Sequence, residues 1–144
     1  MTEPIKNPER VERYRNSRGE LKSSYPRPDV LHIEVSGPLD RSLGNLVAQW
    51  AAELAVYERF TIFFDCSAMR GFDAEVRGIL RRFKSQFGDC LTVHMLMGSK
   101  LHSMLVAVAR LSLGSTLIGY TSDEEFAAVL RQVRLGPSAG PPRP

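Results

Sequence analysis

The chain has 144 residues and a mass of 16.1 kDa, room for one domain, and its 43% hydrophobic and 24% charged content excludes a wholly disordered or fibrous protein. No apolar run approaches the roughly 18 residues of a membrane-spanning helix, and the opening MTEPIKNPERVERYRNSRGE lacks the apolar core of a secretory signal. The net charge of +3 and pI of about 9.1 suggest a nucleic-acid partner, but the excess is local: residues 1–28 carry seven Lys/Arg against four Glu, the tail adds Arg143, and residues 29–135 are net −1.

The ends also hold eight of the nine prolines, Pro38 being the exception. Residues 1–27 are therefore expected as a flexible basic arm, with at most a short helix over Val11–Arg15. Residues 28–135 form the expected α/β domain. The tail 136–144, GPSAGPPRP, is expected to be disordered, because proline has no N–H to give a helix or ladder.

Within the domain, Val30–Ser36 alternates strictly. Leu31, Ile33 and Val35 point one way and His32, Glu34 and Ser36 the other, which predicts a strand with one wet face at a sheet edge. Ser42 is the expected cap of a helix running to about Glu58, with Leu43, Leu46, Val47, Trp50, Leu54 and Tyr57 on its apolar stripe. Phe60–Phe64 is apolar on both parities, a strand buried on both faces that ends in Asp65-Cys66-Ser67. A loop over 68–72 leads to Asp73, the expected cap of a helix whose stripe is Val76, Ile79, Leu80, Phe83 and Phe87. Arg77, Arg81 and Lys84 share its solvated face.

Leu91–Met97 predicts the next strand. Lys100–Leu113 predicts a helix apolar on more than one stripe, either deeply buried or facing a partner. Thr116–Tyr120 predicts a short strand. Ser122 and Glu125 form a capping box for a last helix carrying Phe126, Val129, Leu130 and Val133. Strands alternating with helices predict an α/β sheet of four or five strands, mostly parallel, with an antiparallel edge strand.

No G-x-S-x-G, Walker loop or G-x-G-x-x-G follows a strand, so no enzyme is expected. Cys66, Cys90 and the three histidines His32, His94 and His102 are scattered singly, so neither a metal site nor a cofactor is expected. Two lone cysteines and no signal suit a reducing cytoplasm. The informative place is the carboxyl end of the middle strands, where open α/β sheets build their sites. Asp65, Ser67, Arg70 and the helix start near Asp73 fall there. A helix N-terminus attracts anions, but Asp73 and Glu75 already supply negative charge.

The stretch LHIEVSGPLD, then a helix, then FFDCSAMRGFDAEVRGIL resembles the STAS domain of bacterial anti-sigma factor antagonists. Gly37, Leu39 and Asp40 match that family's Gly-x-Leu-Asp. Asp65 and Ser67 match its Asp-Leu-Ser, with Cys66 at the Leu position, and Phe72-Asp73 matches its Ile-Asp pair. The element order fits from about residue 29 to 134. One departure stands out: where the family has Ser-Ser-Gly, bearing the serine a partner kinase phosphorylates, this chain has Ala74-Glu75-Val76. Glu75 puts a fixed carboxylate near that position, a partial mimic of the modified state.

The resemblance implies a non-catalytic interaction module in bacterial signalling. Its partner would be a regulatory protein, an anti-sigma-type kinase or a divergent equivalent, docked around Asp40, Ser67, Arg70, Asp73, Ala74, Glu75 and Arg77. The alternative is a lipid or small-ligand module of STAS/CRAL-TRIO type, suggested by the apolar 101–113 segment and the soft side chains of Met95, Met97 and Met104. Self-association through 101–113 stays open. Nucleic-acid binding through the arm ranks below both readings.

Overall fold

The structure, a computed structural model, describes residues 11–16, 18–97 and 117–135. The expected helix over 100–113 and the expected disordered tail lie outside them. Six strands form one sheet in the order β1 (Val11–Arg15), β2 (Glu20–Arg27), β3 (Val30–Leu39), β4 (Phe60–Phe72), β5 (Leu91–Met97) and β6 (Leu117–Tyr120). The first two pairings are antiparallel and the last three parallel. Three α-helices are described, α1 (Arg41–Leu54), α2 (Glu75–Phe87) and α3 (Asp123–Leu135), with a short 3-10 helix over Gly88–Cys90.

The largest correction concerns the arm. Residues 11–15 and 20–27 are neither flexible nor helical; they are a hairpin that completes the sheet. Leu21, Ser23 and Tyr25 alternate inward, but the buried Ser23 breaks the apolar pattern that would have marked the strand. Pro26 sits where Tyr25 and Pro26 together oppose Leu31, so the bulge absorbs its missing N–H. As a result β3 is an interior strand and not the edge. The hairpin also uses the arm's charge. Arg13 and Arg15 pair with Glu20 at 2.9 and 3.3 Å, Arg18 with Asp73 at 3.5 Å, Lys22 with Glu34 at 3.7 Å and Arg27 with Asp29 at 3.5 Å. Each described cation of the segment thus faces a carboxylate of the same chain, which leaves less charge for a polyanion. Arg27 Nη1 also donates to the Val133 carbonyl at 3.1 Å, tying α3 to the β2–β3 turn.

α1 and α2 cover one face of the sheet. Leu43, Val47, Trp50 and Leu54 of α1 and Ile79, Phe83 and Phe87 of α2 pack on Ile33, Ile62, Phe64 and Val93. Trp50 is the core anchor its place in the stripe implied, with the Tyr14 ring edge-on to it at 6.2 Å. α3 covers the opposite face, where Phe126 meets Val30, Phe63 and Leu96. Its start is capped as expected, Ser122 Oγ accepting from the Glu125 amide at 3.3 Å.

Three local expectations change. α1 is capped by Asp40, whose Oδ1 accepts from the Leu43 amide at 2.9 Å, and not by Ser42; it ends at Leu54, four residues before Glu58. β4 runs on to Phe72, through the segment expected as a loop. α2 begins after Ala74 with no side-chain cap, because the Asp73 carboxylate is turned to Arg18.

Candidate functional site

The parallel pairing of β3 with β4 ends at Leu39 opposite Phe72, so Asp40 and Asp73 leave the sheet side by side. The Asp73 amide donates to the Leu39 carbonyl at 3.0 Å and closes that end. The turn between β1 and β2 then lies across it. Asn16 Oδ1 accepts from the Arg18 and Gly19 amides, both at 2.8 Å, and shapes the turn. Asn16 Nδ2 donates to Asp40 Oδ2 at 2.8 Å, and Arg18 Nη1 to Asp73 Oδ2 at 3.5 Å. Two turn residues therefore latch the carboxylates that open α1 and precede α2.

The close approach needs two glycines. Gly37 has φ +74°, and a Cβ there would meet the Arg18 carbonyl oxygen at 2.9 Å; a Cβ on Gly19 would strike the Pro38 carbonyl oxygen. Arg18, Asp40, Arg41, Ser42, Asn45 and Asp73 surround an open cleft of about 420 Å³ beside this latch. Asp40 both caps α1 and receives Asn16, so Asp40→Ala is expected to lower stability by about 1 kcal/mol, read by urea unfolding.

Two bulges shape the end of β4. Between the pairs Glu34–Asp65 and Ser36–Ala68, Cys66 and Ser67 oppose Val35 alone. Between Gly37–Met69 and Pro38–Gly71, Arg70 has no opposite residue. Each extra residue bends the strand and re-aims its neighbours, and both Ser67 and Arg70 are exposed. Ala74, Glu75 and Arg77 are exposed at the start of α2. The expected site residues therefore split. Asp40 and Asp73 are joined by the latch. Arg70 is exposed near the end of β4, and Ala74, Glu75 and Arg77 are exposed where α2 begins. Ser67 turns the other way, its amide and hydroxyl both donating to Asp65 Oδ1.

Asn16 and Arg18 were missed because they lie in the segment read as a flexible arm. The only available signal was the Asn-x-x-Gly turn pattern between two alternating stretches. Also missed was a polar group on the α3 side of the sheet. One ligand-capable atom each from His32, Glu34 and Asp65 lies within 4.8 Å of the others. His32 Nε2 is buried without a hydrogen-bond partner among the described residues. Burial lowers the His32 pKa, against the opposing pull of Glu34 and Asp65. On β5, His94 Nδ1 and the Tyr120 hydroxyl lie 2.8 Å apart, and the His94 ring stacks on Phe63 at 4.5 Å. Burial pushes the Cys66 thiol up to about 12, so it is a core group and not a nucleophile.

No family profile matches the chain, and no curated protein matches it by sequence. Its architecture does match solved structures: a mixed sheet, parallel past an antiparallel hairpin and flanked by alternating helices, is the STAS-like α/β fold. The chain is similar to the anti-sigma factor antagonist SpoIIAA in its unphosphorylated form, with a TM-score of 0.53 and 16% identity over 76% of this chain and 95% of that one. It is similar to an anti-sigma factor antagonist from Mycobacterium paratuberculosis, with a TM-score of 0.52 and 14% identity over 88% and 99%. A third similar structure is an uncharacterized protein of the DUF3478 family with a SpoIIAA-like fold from Shewanella loihica, with a TM-score of 0.53 and 10% identity over 90% and 98%.

Proposed function

We propose that the chain is a non-catalytic protein-interaction module in bacterial signalling. It acts in the cytoplasm and docks a regulatory protein around the start of α2. One observation carries the reading: in a STAS-like fold, the end of β4 is bulged at Arg70, which is exposed, as are Ala74, Glu75 and Arg77 where α2 follows. Exposed arginines on a rigid strand-to-helix junction suit recognition of a folded partner. Glu75 occupies the first turn of α2, where a carboxylate complements the helix dipole. The surface therefore carries constant negative charge where the family resemblance places a switchable serine.

The lipid reading has less support. The apolar cavity between α1, α2 and the sheet measures about 40 Å³, room for a water or two and not for an acyl chain. The full chain used as bait in an extract of its native cell tests the docking reading. Wild type is expected to retain a regulatory protein. The double reversal Arg70→Glu, Arg77→Glu is expected to weaken retention about tenfold, ~1.4 kcal/mol. Glu75→Ser is expected to alter it in the same assay. Equal retention of the same proteins by all three forms rejects the reading.

A further inference from the structure

We infer that His32, Glu34 and Asp65 form a binding site for a divalent transition-metal ion, on the face of the sheet that carries α3. The strand geometry brings the three together. His32 and Glu34 are two apart on β3, so they project from the same face. Glu34 is paired in register with Asp65 of β4. One donor atom from each residue already lies within 4.8 Å of the other two. Donors at about 2.0–2.2 Å from a zinc ion sit roughly 3–4 Å from one another, so small side-chain rotations complete the set. Glu34 has that freedom, with 42% of its side chain exposed.

The chemistry of the cluster is otherwise unbalanced. Two carboxylates share the position, and the cation paired with them among the described residues is Lys22, 3.7 Å from Glu34 in a pair about 40% exposed at both ends. A pair of that kind contributes little and yields readily to a stronger ligand. Asp65 has no ion pair among the described residues. The Ser67 amide and hydroxyl on its Oδ1 hold the carboxylate in place, the support that metal ligands usually receive. His32 Nε2 is buried without a hydrogen-bond partner among the described residues, and in the tautomer protonated at Nδ1 it has a lone pair to give.

One imidazole and two carboxylates select a borderline ion such as zinc over magnesium, which prefers oxygen alone. Three protein donors leave at least one position on a four-coordinate ion open to water or to an external ligand. The ion would also clamp β3 to β4 just before the first bulge of β4.

Zinc chloride titrated into the full, metal-stripped chain by calorimetry tests this site. The controls are the near-isosteric variants Glu34→Gln and Asp65→Asn, with far-UV circular dichroism as the check on folding. Wild type is expected to bind one zinc per chain saturably and to shift the His32 ring resonances. Each variant is expected to bind at least tenfold more weakly, ~1.4 kcal/mol per tenfold. Absence of saturable zinc binding overturns the proposal. So does wild-type affinity retained in both folded variants, which would move the ion to His94, His102 or the cysteines.

Discussion

Phe63→Ala is expected to lower the unfolding free energy by about 3–5 kcal/mol, the range for emptying a fully buried aromatic site. Phe63 is 0% exposed in the middle of β4, with His94 stacked flat on it at 4.5 Å and Phe126 edge-on at 5.6 Å. Among the described residues, the buried members of the core beneath α3 are Val30, Phe63, Leu96 and Phe126. Removing the central ring takes from Phe126 its edge-on contact with β4. The loss therefore falls on the docking of α3, while the larger core under α1 and α2 stays filled. Urea unfolding followed by far-UV circular dichroism gives the total, and hydrogen exchange of the α3 amides gives its location. A cost below about 1 kcal/mol would mean that α3 contributes little to the fold, since surface changes lie in that range.

Gly19→Ala is expected to cost on the order of 1–3 kcal/mol, the usual penalty for overpacking, despite adding one methyl group to a turn. The new carbon would strike the Pro38 carbonyl oxygen and lie 3.0 Å from that of Ser36. Both are backbone atoms of β3 that cannot rotate aside. The turn must lift, and lifting it separates Asn16 from Asp40 and Arg18 from Asp73. The same change is expected to weaken partner retention, because the latch orders the strand ends beside the α2 start. Arg18→Ala separates the two effects: it removes an exposed ion pair worth at most about 1 kcal/mol while leaving the turn seated. Wild-type stability in Gly19→Ala would show that the turn does not rest on β3.

From Val30 to Met97 most of the fold was legible in the sequence, since α1, α2 and β3 each show one periodicity and the start of β4 is an unbroken apolar run buried on both faces. Val76, Ile79, Phe83 and Phe87 are buried as their spacing requires, and Arg77, Arg81 and Lys84 of the same helix are exposed. The hairpin over 11–27 was not legible. Its inward face includes a serine, its one proline, Pro26, suggests coil, and its arginines look solvated until their carboxylate partners, from Glu20 to Asp73, are brought alongside. The end of β4 failed for a related reason. A strand with two bulges loses its alternation, so SAMRGF reads as loop although the ladder continues through it.

Sequence pattern alone carries the α/β class and the faces that α1 and α2 bury. Local periodicity and apolar burial act within one element and need no knowledge of its neighbours. The tertiary structure alone decided which carboxylate keeps which cation, that Asp40 rather than Ser42 caps α1, and that His32, Glu34 and Asp65 converge. The convergence of His32 and Glu34 with Asp65 and the Arg18–Asp73 pair depend on register between elements distant in the chain, which no single stretch of sequence encodes, while the Asp40 cap is a local choice between two polar residues. The charge changes meaning accordingly: the arm's excess of +3 looked like an invitation to nucleic acid, and in the folded protein its described cations tie the hairpin together and to the rest of the domain.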